Sequence, residues 1–165
     1  MDFYEGDPVM HWTYGLGRVV RLEERDLSGS NILYYAVQIG DMTVWVPADG
    51  KLESRLRPPV TEAGFRKLLG ILSGPGTPLP ENRQERRTRL LELLKDGRAE
   101  SLCQIICDLS ASQKIKALND NERTLLKQSR TALLGEWGFV QSITPAQAEL
   151  ELQRTLSSGM VEIEA

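Results

Sequence analysis

Apolar and polar residues alternate over residues 1–58, and beyond them apolar residues recur at every third and fourth position. In the first stretch Gly6-Asp7-Pro8-Val9 opens a strand and Tyr14-Gly15-Leu16-Gly17 marks a tight turn. Arg18-Val19-Val20-Arg21-Leu22 leaves that turn as a second strand. Tyr34-Tyr35-Ala36-Val37-Gln38-Ile39 is a β-branched and aromatic run. Gly40-Asp41 is a two-residue hairpin signal, after which Thr43-Val44-Trp45-Val46-Pro47 returns. Short strands with turns about every ten residues predict a small β-barrel. Alternation sets Trp45 opposite in sense to Val44 and Val46, so with the valines inward its ring faces out. An outward Trp is a frequent binding hot spot.

The period changes at Arg57-Pro58-Pro59. Thr61-Glu62 starts a short helix carrying Phe65, Leu68, Leu69 and Leu72. The loop 73–80 follows, with Pro80 near the first turn of the next helix. That helix carries Leu90, Leu91, Leu93 and Leu94 and stops at Asp96-Gly97. Another runs from about Ala99 with Leu102, Cys103, Ile106 and Leu109 as its core face. Asn119 with Glu122 reads as a capping box before a helix bearing Leu125, Leu126, Ala132, Leu133, Trp137 and Val140. Thr144-Pro145-Ala146-Gln147 starts the last helix, with Leu150, Leu152 and Leu156 inward, a stop at Ser157-Ser158-Gly159 and a frayed tail from Met160. The expected class is α+β: a Tudor/SH3-like small barrel over 1–58, then a compact all-helical domain of four or five helices over 59–165.

Composition narrows the function. The 165 residues are 41% hydrophobic and 26% charged, an ordinary globular balance, and no run reaches the length of a membrane span. No secretory signal opens the chain, so a cytoplasmic protein is expected. Cys103 and Cys107 sit four apart on a helix as small, reduced core residues, and one His gives no metal-ligand set. That residue, His11, has no acidic orienter nearby in sequence. Gly15 and Gly17 lack the following helix of a phosphate loop, and Glu23-Glu24 reads as a solvated strand end. No active site assembles, and neither catalysis, cofactor nor metal is expected.

The net charge of −3 argues against a generic nucleic-acid coat. Residues 1–58 carry six Lys/Arg against nine Asp/Glu, and the remainder fourteen of each. Within that remainder Arg83, Arg86, Arg87 and Arg89 cluster with only Glu85 between them. Arg83, Arg86 and Arg87 fall at i, i+3 and i+4, a helical face suited to phosphate. It also opposes the helix dipole, a cost that local stability does not explain. A solvated charged face is the simpler alternative. Lys127 and Arg130, on a later helix, could extend the basic surface.

Phe3-x-x-Gly6-Asp7-x-Val9, Tyr14-Gly15-x-Gly17-x-Val19, Gly29, Tyr34-Tyr35, Val44-Trp45-Val46-Pro47 and Leu56-Arg57 resemble the CarD family of bacterial transcription regulators. The resemblance continues in Leu91-x-x-Leu94-x-x-Gly97, Cys107-Asp108-Leu109 and Asn121-Glu122-x-x-x-Leu126-x-x-x-Arg130-x-x-Leu133-x-x-Glu136. It covers residues 1 to about 156. The barrel resembles the RNA polymerase interacting domain shared with transcription–repair coupling factors. It implies docking on the polymerase β subunit through a strand edge, with Arg25, Leu27 and the strand Thr43, Val44, Trp45, Val46 and Pro47 as contacts. For the helical domain it implies contact with promoter DNA at the upstream edge of the transcription bubble, the family's basic pair falling near Arg86 and Arg87. The family's Trp wedge has no counterpart here: Arg83 occupies its place. Arg can enter a narrow minor groove but does not unstack a base step. The expected protein is thus a non-enzymatic, monomeric regulator that binds polymerase β, contacts promoter DNA weakly through backbone phosphates and modulates open-complex stability. The alternative is an adaptor whose helical domain binds another regulator.

Overall fold

The computed structural model describes residues 2–26 and 31–164, with side chains as far as Ser157. Contacts divide the chain into two units, Met1–Pro59 and Val60–Ala165. The first unit is an antiparallel sheet of β1 (Pro8–His11), β2 (Gly15–Asp26), β3 (Asn31–Ile39), β4 (Met42–Pro47) and β5 (Leu56–Arg57). The strands lie in the order β4-β3-β2-β1-β5, so β4 and β5 are its edges. A two-residue connection at Gly40-Asp41 joins Ile39 to Met42, as the sequence predicts.

Every second residue of the strands turns into the barrel, where Val9, Val19, Tyr35, Val37 and Val46 meet Phe3, Leu52 and Leu56. The Phe3 ring meets Tyr35 edge-on at 5.7 Å, and the Tyr35 hydroxyl accepts from the Phe3 backbone N–H. Gly17 has no room for a side chain, since a Cβ there would stand 2.6 Å from Ile39 Cγ1 and 2.8 Å from the Gln38 carbonyl. The register of β2 against β3 shifts between Val19 and Arg21, leaving Val20 as the extra residue of a bulge. Beyond the bulge Arg21, not Val20, lies opposite Ala36. Leu22 and Leu33 keep the inward phase but stay exposed, because the β2–β3 hairpin outruns the core.

The second unit contains α1 (Glu62–Leu72), α2 (Arg83–Asp96), α3 (Ala99–Ile115), α4 (Asp120–Gln141) and α5 (Pro145–Glu164). Helix α3 is central, packing on α1, α2 and α4. Ile105, Ile106 and Leu109 are fully buried against Phe65, Leu68, Leu133 and Trp137, with the Phe65 and Trp137 rings edge-on at 4.9 Å. Cys103 and Cys107 are buried free thiols, and desolvation with the nearby Asp108 charge pushes the Cys107 pKa up. The capping box of Asn119 and Glu122 forms. Thr144 and Gln147 cap α5 in the same reciprocal way.

Three helix details differ from the sequence reading. Helix α2 starts at Arg83 rather than beside Pro80, because Asn82 caps it by accepting from the Glu85 N–H. Leu150 is exposed: Ala148 and Leu152 are buried on a four-residue stripe, and position 150 lies about 200° around the helix from 148. The stop at Ser157-Ser158-Gly159 and the tail from Met160 are instead helix, since α5 runs to Glu164. Without a proline those residues only weaken an established helix, and propagation carries through them.

His11 is buried at the end of β1, stacked on Tyr14 at 5.2 Å. Its Nδ1 accepts the backbone N–H groups of Thr13 and Tyr14, at 3.1 and 3.2 Å. Desolvation lowers its pKa to about 4. An unfolded chain binds this proton near 6.5. Between those values protonation therefore favours unfolding, and His11's contribution is complete above about pH 6.5 and drains away toward pH 4. Asn supplies an acceptor oxygen near the Nδ1 position and does not titrate. Urea unfolding of the full chain at pH 7 and pH 5 should show a smaller loss for His11→Asn than for the parent.

Candidate functional site

Cross-strand register assembles the outer face of the barrel. Arg21 of β2, Ala36 of β3 and Trp45 of β4 stand in one row, with Glu23, Tyr34 and Pro47 in the next. Ala36 is fully buried although it points outward. A methyl group leaves a shallow floor on which the Trp45 ring can lie across the sheet. Two guanidinium groups then cover that ring, Arg25 Cζ at 4.2 Å and Arg21 Cζ at 5.2 Å from its centroid. Arg21 Nε is held by Glu23 at 2.7 Å. Trp45 has the outward phase predicted for it but is half-buried, because the arginine stems reach across β3 to roof it. An arginine over an indole contributes about 0.5–1 kcal/mol at an exposed site and pre-forms a flat, cationic surface.

Thr43 is exposed on the same face, its Oγ1 donating to Gln38 Oε1 at 2.8 Å, while Val44 and Val46 turn inward. The other side of β4 has no strand partner among the described residues. Its backbone groups are therefore available to an added strand. Arg25, Thr43, Trp45 and Pro47 come together on this one outer face. Leu27 and Gly29 lie outside the described residues.

The basic cluster on α2 divides. Arg86 turns inward, its Nε and Nη2 donating to the Glu122 carboxylate and its Nη2 also to Ser112 Oγ at 2.9 Å. Arg89 reaches the buried Asp108 at 3.4 Å. Arg83 and Arg87 remain exposed. The reason is visible in helical phase, for Arg86 and Arg89 share the inward side with Leu90 and Leu93, whereas Arg83 and Arg87 flank it. Of the four clustered arginines, two are thus exposed and two are engaged in ion pairs.

Arg83 and Arg87 border a groove of about 470 Å³ between α2 and the start of α4, floored by Leu90, Leu94 and Leu125. Lys127 and Arg130 do not extend it. They line a separate groove with Arg123, on the opposite flank of α4. Residues 121 and 125 stand about 120° to 180° around α4 from residues 127 and 130, so the two sets diverge.

Asp108 and Glu122 are the residues that sequence reasoning underrated. Asp108 accepts from the Thr77 N–H at 2.7 Å and Gln104 Nε2 at 2.6 Å in addition to Arg89, tying the loop 73–80 to α3. An acidic residue inside Ile105-Ile106-Cys107-Asp108-Leu109 was the available signal. Glu136 is fully buried and accepts the Val60 N–H at 2.9 Å, fixing the chain just before α1. No group of three or more His, Cys, Asp or Glu suited to a metal ion occurs among the described residues. Among the same residues no helix is long and apolar enough to cross a membrane.

Removing the Glu122 carboxylate would strand Arg86 in a mostly buried position. Glu122→Ala should cost about 3 kcal/mol of stability in chemical unfolding. Glu122→Gln retains the cap hydrogen bond but not the charge pair, so its loss should persist, separating the ion pair from the cap.

The chain matches two family models in tandem: the CarD-like/TRCF RID domain over residues 3–60 and the CarD, C-terminal domain over residues 67–153. It is also similar to a Bacillus subtilis (strain 168) protein named "Putative transcription factor YdeB". The two are 26% identical over 148 residues, spanning 88% of this chain and 96% of that protein.

Proposed function

Starting from a chain that belongs to the CarD family of transcription regulators, we propose that it docks on the RNA polymerase β subunit through its barrel and modulates the open promoter complex from there. The observation that carries this reading is the tandem of the two family domains, in order, over nearly the whole chain. The β4 edge would pair with a strand of the β subunit. Arg25, Thr43, Trp45 and Pro47 would grip its side chains, with Leu27 as a further contact. Val44 and Val46 would contribute through their backbone. Arg83 and Arg87 would hold upstream promoter DNA by its phosphates. Tethering on polymerase raises the local concentration of so small a DNA contact, which a modest charge then suffices to use. The regulator acts without catalysis, in the cytoplasm where its polymerase works.

A second reading, an adaptor that binds another regulator through its helices, draws support from the two arginines already consumed by Glu122 and Asp108. Salt dependence separates the two. In the polymerase complex Arg83→Ala with Arg87→Ala should lower the salt slope of promoter binding by about one unit for each lost phosphate contact. An unchanged slope would leave the adaptor in possession.

Docking itself is tested with full-length chain and purified β subunit. Trp45→Ala should weaken binding by about 2 kcal/mol, near thirtyfold in Kd, while circular dichroism stays unchanged. Parental affinity in that variant would remove the Trp45 face from the interface.

A further inference from the structure

We propose that the flank of α4 bearing Arg123, Lys127 and Arg130 docks an acidic amphipathic helix of a protein partner. This surface lies on the opposite flank of α4 from the groove bordered by Arg83 and Arg87.

The three cations follow one another at i, i+4 and i+7, a single stripe about 10 Å long and two turns tall. They border a groove of about 370 Å³ whose floor is Leu118, Leu126 and Leu134. Arg123 is already fastened, donating to the Leu118 carbonyl at 2.6 Å and to the Asp120 carboxylate. Lys127 and Arg130 have no carboxylate partner among the described residues. Arg130 is half-buried beside that apolar floor. A carboxylate arriving there would gain a charge-assisted hydrogen bond.

The floor decides between kinds of partner. Leucines beneath a row of cations match a helix with Leu on one stripe and Glu or Asp beside it. A DNA backbone presents phosphate and sugar, which leave the leucines unused. Residues 59–165 carry as many acidic as basic residues, so no domain-wide positive field steers DNA to this flank. Short-range complementarity to an acidic helix needs no such field.

The probe is a fluorescent synthetic helix of about five turns, with Leu at i, i+4 and i+7 and Glu along the adjacent stripe, titrated into full-length chain. A scrambled peptide of the same composition is the control. The designed helix should bind better than the scramble, and Lys127→Glu with Arg130→Glu should raise its Kd about tenfold or more. Arg83→Glu with Arg87→Glu should leave that Kd within about a factor of two, because those residues lie on the other flank. Both double variants alter side chains outside the buried core, and circular dichroism checks each fold. Equal binding of scramble and designed helix would overturn the proposal by showing only diffuse charge attraction. So would a Lys127/Arg130 reversal that spares the peptide but abolishes binding to duplex DNA, which would assign the flank to nucleic acid. A dimer in sedimentation that the same reversal dissolves would assign it to a second copy, and overturn the proposal equally.

Discussion

Helix α2 is set in place on the helical unit by arginine–carboxylate contacts as well as by leucines, and the arrangement of the surrounding helices depends on those contacts. Its sequence is largely polar, with Leu90 buried and Leu93 and Leu94 packed partly against the core. Arg86 and Arg89, three residues apart, reach in beside them to Glu122 on α4 and Asp108 on α3. Buried ion pairs seldom add much net stability over apolar packing, because desolvation consumes most of the attraction. What they add here is geometry. Glu122 must be at the first turn of α4 to cap Asn119 and must also face α2, so the cap and the interhelical contact fix one another. Asp108 performs the same double duty for α2 and the loop 73–80.

The barrel solves a different problem with similar chemistry. Its outer sheet face carries an indole that would otherwise stand open to water. A methyl side chain beneath and two guanidinium groups above turn it into a flat platform. The bulge at Val20 is what makes this possible. Were the same residues paired without the bulge, Val20 would face Ala36, Arg21 would share the inward phase of Val19, and the row Arg21–Ala36–Trp45 would not exist.

Most of the fold was legible because its signals are local. The hairpin at Gly40-Asp41, the caps at Thr61, Asn119 and Thr144, and the left-handed Gly97 that ends α2 each depend on a few adjacent residues. The length of α5 was misread because Ser-Ser-Gly lowers helix propensity without forbidding helix. The site was less legible for a physical reason. Whether an arginine is free for a ligand depends on carboxylates far away in sequence, and Glu122 lies 36 residues from Arg86. The helical spacing of Arg83, Arg86 and Arg87 was correct, yet it could not say which of the three faced inward. Likewise alternation gave Trp45 its outward phase, but only the strand pairing brought Arg21 and Arg25 over it.

The shortness of β4 has a consequence for how selective any added strand must be. Six residues, closed by a hairpin at one end and Pro47 at the other, expose outward-pointing backbone groups on only about every second residue. A visiting strand therefore gains roughly three rungs of hydrogen bonding, each worth about 1 kcal/mol net. That is too little to outweigh the entropy of association by itself. Indiscriminate strand exchange, including fibril growth from this edge, is starved of driving force. Only a visitor whose side chains also fit the indole and its arginines will stay, so the brevity of the strand converts a sticky edge into a discriminating one.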